Sequence, residues 1–69
     1  MELRFKTKSL SVARKVALPL IRKRCESHEP LMANETTEWV ERRFPALTTE
    51  DQQKLATECS LAIMESIDG

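Results

Sequence analysis

The sequence predicts an all-α protein, a small bundle of three to four short helices. The chain has 69 residues and a single glycine, Gly69 at its end, so the tight hairpins of a β protein have little support. Over most of the chain, apolar residues recur with the period of about 3.6 residues that is typical of amphipathic helices. Only residues 1–8 depart from this pattern.

Residues 1–8 have the alternation of a half-buried strand. Leu3, Phe5 and Thr7 alternate with charged residues. No second strand is visible in the sequence. We therefore expect either an extended basic arm or a strand that pairs with its own copy in a dimer.

Residues 9–29 form a basic helical segment in this interpretation. Lys15 and Arg22 project from one side. The other side is a broad apolar arc formed by Leu10, Ala13, Val16, Ala17, Leu20 and Ile21. Pro19 either kinks a single helix or opens a second one, because a proline is harmless in a first helical turn. The cations at positions 22–24 fall near the C-terminus of the segment, where the helix dipole favours positive charge.

The sequence predicts a short helix over residues 34–44. Asn34 or Thr36 can cap its start, and Pro45 stops it because the residue before a proline is driven out of the helical region. Trp39 lies on its apolar side, and we expect it in the core. An indole flanked by arginines also matches the composition of a binding hot spot.

The sequence predicts an acidic amphipathic helix over residues 49–67. Thr49 and Gln52 fit a capping box at its start. Leu61 and Met64 lie off its main apolar face, which makes them candidates for a dimer or partner surface.

The charge layout is the strongest indication of function. The first 24 residues carry eight basic residues and one acid, a net charge of +7, and the other 45 carry three basic residues and ten acids, a net charge of −7. We expect the basic segment to dock on the acidic helix or on an acidic partner surface. The candidate partner-binding residues are Arg14, Lys15, Arg22, Lys23, Arg24, Leu61 and Met64.

Length and composition favour a small binding protein. A chain of this size buries only about 60% of its unfolded surface as a monomer, so we predict a homodimer. The sequence has no catalytic signature and no phosphate loop, and we expect no enzyme activity and no cofactor. The prediction is an accessory regulator or inhibitor that binds a larger protein, of the kind that phages or other mobile elements encode.

The sequence also predicts a soluble, cytoplasmic protein. The longest nearly uncharged run, residues 16–21, is too short to span a bilayer. Residues 1–9 alternate in charge where a signal peptide needs an apolar stretch.

Cys25, His28 and Cys59 are the residues that could hold a zinc ion, with Glu29 or Glu58 as a fourth ligand. Zinc sites usually have paired ligands at short spacing, and this set does not. The reducing cytoplasm, which is the expected compartment, also disfavours a disulfide between the two cysteines. We therefore predict two buried thiols, a surface histidine and no metal.

The alternative function is that of a small dimeric DNA-binding regulator. In a symmetric two-stranded ribbon, Arg4, Lys6 and Lys8 would point together into a major groove. Over the first nine residues this layout resembles the ribbon-helix-helix repressors. It departs from them beyond that point, because some 20 residues containing Pro19 and no glycine turn follow. The ten downstream acids would also repel DNA if they lay nearby.

Overall fold

The computed structural model describes residues 4–68, and within that range it contains three α-helices and no strand. Helix α1 spans Leu10–Glu26, α2 spans Ala33–Arg43 and α3 spans Thr49–Asp68. The predicted all-α class is confirmed. The first three residues of the predicted arm lie outside the described residues. No helix in the described range is both long enough and apolar enough to cross a membrane.

Helix α1 begins after Ser9, whose hydroxyl accepts a hydrogen bond from the backbone N–H of Val12 at 3.4 Å. The helix continues through Pro19, so the two alternatives left open by the sequence resolve to one unbroken helix. The proline lies on the exposed side. It removes one internal hydrogen bond without ending the helix.

The end of α1 comes three residues before the end of the predicted segment 9–29. His28 has a left-handed backbone (φ 60°). Its N–H donates to the Cys25 carbonyl at 3.1 Å, and the Glu29 N–H donates to the Arg24 carbonyl at 2.9 Å. This pair of bonds closes the last helical turn and reverses the chain, as glycine usually does at this position.

Both remaining helices begin at caps other than the predicted ones. Helix α2 begins one residue before Asn34, because the Glu35 carboxylate accepts the Met32 N–H at 3.0 Å and stabilises an earlier start. Helix α3 is capped by Thr48 rather than Thr49: the Thr48 hydroxyl accepts the Asp51 N–H at 3.2 Å. The Gln52 amide instead donates to a carbonyl at the end of α2.

Helix α3 is the centre of the bundle, since α1 and α2 both pack against it rather than against each other within the described range. Arg14 lies beside Glu58, and Arg22 shares a cavity with Glu65, so α1 and α3 run in the same direction. Helix α2 runs the opposite way. Trp39 is in the core, as predicted. The buried apolar residues are Ala13, Ala17, Ile21, Leu31, Trp39, Val40, Phe44, Leu47, Leu55, Ala56, Cys59 and Ile63.

Candidate interaction surfaces

A group of large apolar side chains remains exposed on one side of the bundle. Leu61, Met64 and Ile67 follow one another at intervals of three on α3, which places them along one ridge of the helix. Met32 lies just before α2. Each of the four is more than half exposed, at 52% for Leu61, 58% for Met64, 69% for Ile67 and 65% for Met32. We call these four residues the apolar surface.

A groove between the start of α2 and the second half of α3 is bordered by three of these four residues, and Leu61 lies outside its lining. It encloses a cavity of about 220 Å³ whose lining includes Met32, Met64 and Ile67, with Leu31 and Ile63 from the core. The polar groups nearby are largely satisfied: the buried Thr36 hydroxyl donates to the Met32 carbonyl at 3.0 Å. The groove therefore offers mainly apolar contacts to an incoming side chain.

Among the basic residues predicted to bind a partner, Arg14 instead forms an ion pair within the protein. Its Nε donates to the Glu58 carboxylate at 2.8 Å, and this pair joins α1 to α3. Both side chains remain about one third or more exposed, so the pair orients the two helices and adds little stability.

The other four predicted basic residues do not form one patch. Lys15 is exposed on the outer side of α1. Arg22 faces α3, where it lines a cavity with Glu65. Lys23 and Arg24 face the opposite way, toward α2. The structure therefore separates a cluster that looks continuous in the sequence.

A second cavity, of about 230 Å³, lies between the last turns of α1 and α2, and we call it the α1–α2 cavity. Its lining residues are Leu20, Lys23, Arg24, Ser27, Glu29, Trp39 and Arg43. The Arg43 guanidinium carbon lies 4.6 Å from the centroid of the Trp39 ring, a cation–π contact. The sequence indicated a binding hot spot of Trp39 with its flanking arginines as an alternative, but it did not single out Arg43 as the partner of the ring. The available signal was its spacing of four from Trp39, which puts both on one side of a helix.

The described part of the N-terminal arm packs against the end of α2. The Phe5 N–H donates to the Arg43 carbonyl at 2.7 Å, and the Phe5 ring stacks on Phe44 with 5.3 Å between centroids. Phe5 and Thr7 are half-buried. The three cations of the alternative function, Arg4, Lys6 and Lys8, are all exposed.

The two cysteines have different environments. Cys25 is half-buried and Cys59 is buried, and both are free thiols. Burial raises the pKa of Cys59 to about 12, with a smaller contribution from the negative charge of Glu58. Within the described residues, no three His, Cys, Asp or Glu side chains come together in a way that could hold a metal ion.

Comparison of this chain with protein-family models, with curated protein sequences and with solved structures finds no match.

Proposed function

We propose that the protein is a non-enzymatic interaction module that binds a larger protein through the apolar surface and acts as an accessory regulator or inhibitor in the cytoplasm. The observation that carries this proposal is the grouping of Met32, Met64 and Ile67 around one groove, with the exposed Leu61 one turn before Met64 on α3. Single exposed apolar residues are normal on a soluble protein, whereas contiguous ones mark binding surfaces. Methionine also adapts its shape to a partner, because its side chain is unbranched and polarizable.

The groove supports an amphipathic helix as the bound segment. It lies between two helices and has an apolar lining, which is the arrangement that accepts the apolar face of a third helix. The two helices that form it, α2 and α3, together carry eight acids and three basic residues, a net charge of −5. The proposed partner is therefore a helix with apolar side chains on one face and basic side chains beside them.

Two substitutions of matched chemistry test this proposal. Met64→Glu introduces a charge at the centre of the apolar surface. Val12→Glu introduces the same charge at an apolar residue of α1 that is 48% exposed and lies outside the groove. Both side chains are exposed, so both variants should keep the helical circular dichroism spectrum of the wild type.

The experiment compares partner capture by the wild type and the two variants, then maps the captured segment with peptides. We expect capture to survive Val12→Glu and to be lost with Met64→Glu, and we expect the mapped segment to be a basic amphipathic helix. Capture that is equal for the two variants would contradict the proposal. So would a mapped segment that is acidic or lacks an apolar face.

DNA binding remains the second candidate because Arg4, Lys6 and Lys8 are exposed together on an arm that Phe5 attaches to the bundle. If this candidate is correct, log affinity for duplex DNA falls steeply with log salt, by roughly 0.9 for each phosphate contact. Replacing Lys6 with Gln then reduces the magnitude of that slope by roughly 0.9, the contribution of one phosphate contact. A wild type that shows no DNA binding at low salt would eliminate this candidate.

A further inference from the structure

Two residues that line the α1–α2 cavity, Arg24 and Trp39, carry buried hydrogen-bond donors that have no acceptor among the described residues. Trp39 is only 7% exposed, and its indole N–H is buried without a partner among the described residues. The Nε–H of Arg24 is buried and unpartnered in the same way. Both residues line this one cavity. Folded proteins rarely leave such groups unpaired, and an indole can only donate, so a bound acceptor would complete the site.

The lining of the α1–α2 cavity is also positively charged. Lys23, Arg24 and Arg43 contribute three positive charges, and Glu29 contributes one negative charge, which leaves a net charge of +2. The stacking of Arg43 on the Trp39 ring restricts the guanidinium to the cavity wall. The three cations and the indole are all donors, and the acceptor side chains in the lining are the Glu29 carboxylate and the Ser27 hydroxyl.

We propose that the α1–α2 cavity binds a phosphate monoester group. A monoester carries about −1.5 to −2 charges at neutral pH and has three strong acceptor oxygens, which matches both the net charge and the unpartnered donors. A carboxylate or a phosphodiester carries a single negative charge and would leave one positive charge uncompensated. Leu20 supplies an apolar wall for the organic part of the ester.

This site is independent of the proposed function. The residues that line the α1–α2 cavity and those that line the groove of the apolar surface have no member in common. Either proposal can fail while the other stands.

The test uses the indole N–H of Trp39, which gives a single resonance because the chain has one tryptophan. Inorganic phosphate is titrated at constant ionic strength, and the ¹H–¹⁵N spectrum reports the indole shift and the integrity of the fold. Lys23→Gln removes a charge from the cavity, and Lys15→Gln removes the same charge from the exposed side of the same helix. Both lysines are exposed, so neither substitution disturbs the core.

We expect a saturable indole shift that weakens about tenfold in Lys23→Gln and changes less than about twofold in Lys15→Gln, since a charge-assisted hydrogen bond is lost only in the first. An indole resonance that does not move, or that moves linearly with phosphate without saturating, would overturn the proposal. Equal weakening in the two variants would also overturn it, because the attraction would then be nonspecific.

Three further probes define the ligand. Acetate and dimethyl phosphate should bind more weakly than inorganic phosphate, and equal binding of either would overturn the assignment to a monoester. N-acetyl-phosphoserine amide identifies the source of the phosphate. Tighter binding than inorganic phosphate supports a phosphorylated organic group, and equal binding supports the same site occupied by free phosphate.

Discussion

At the scale of single residues, burial determines the chemistry of Cys59. The side chain projects from α3 into the core and is fully buried, and removal from water disfavours the thiolate. The charge of Glu58 acts in the same direction, and the pKa of Cys59 rises to about 12. The reactive thiolate is therefore strongly disfavoured at neutral pH.

We predict that the two cysteines differ in their reaction with a thiol reagent at pH 8. Cys25, which is half-buried, should react quickly in the native protein. Cys59 should react only as fast as the protein unfolds, and both should react at once in denaturant. Mass spectrometry of the labelled protein over time measures this. Equal labelling rates in the native state would show that Cys59 is not buried as described.

His28 is a second residue whose environment has a measurable consequence. It adopts φ 60° to close the end of α1, a conformation in which any Cβ is crowded and glycine is not. We predict that His28→Gly raises the free energy of unfolding by about 0.5–1 kcal/mol, as measured by urea denaturation. Loss of stability would contradict the left-handed assignment.

At the scale of the helices, the sequence predicts faces better than ends. The 3.6-residue period correctly placed Ala13, Ala17 and Ile21 on the buried side of α1. The predicted capping positions differ from the observed ones by one residue or more. Several polar residues near each helix start can cap it, and the sequence does not show that Glu35 and Thr48 form the capping hydrogen bonds.

The basic cluster at the end of α1 shows why the α1–α2 cavity is harder to predict from the sequence than the helix faces are. Consecutive helical residues point about 100° apart, so Arg22, Lys23 and Arg24 cannot share one face. Which of them meets α2 and which meets α3 depends on the position of α2. The loop that sets this position turns at His28, a residue without a glycine signal.

Pro19 weakens α1 locally without ending it. It lies in the interior of α1, where its ring removes the hydrogen bond to the Lys15 carbonyl. We expect Pro19→Ala to raise the free energy of unfolding by about 1–3 kcal/mol, the helical gain being offset in part by the greater freedom of the unfolded chain. Urea denaturation monitored by circular dichroism measures the change. Unchanged or lower stability would argue against a continuous helix.

At the scale of the whole molecule, the separation of charge persists in the fold. Helix α1 carries a net charge of +4 and α3 a net charge of −4. Within the described residues, Arg14 is the one basic residue of α1 that has an ion-pair partner. Lys15 and Arg22 therefore remain free to meet the acidic helix of a second copy.

The homodimer remains a prediction, and we expect it to depend on these charges. Light scattering should give about twice the chain mass of 7.9 kDa at micromolar concentration. Arg22→Glu should weaken the dimer, and so should about 1 M salt, where charges are screened beyond about 3 Å. A monomer at every concentration would contradict the prediction. A dimer that Met64→Glu abolishes would place the second copy on the apolar surface and contradict the proposed function.

The methyl groups of the methionines can report directly whether the apolar surface binds a basic amphipathic helix. The chain has three methionines, and two of them, Met32 and Met64, line the groove. Two synthetic helices with the same apolar face, one flanked by Lys and one by Glu, are titrated into methyl-labelled protein. We expect saturable shifts of the Met32 and Met64 methyl resonances with the Lys-flanked helix and much weaker ones with the Glu-flanked helix. Resonances that do not move with either helix, or that move equally with both, would contradict it.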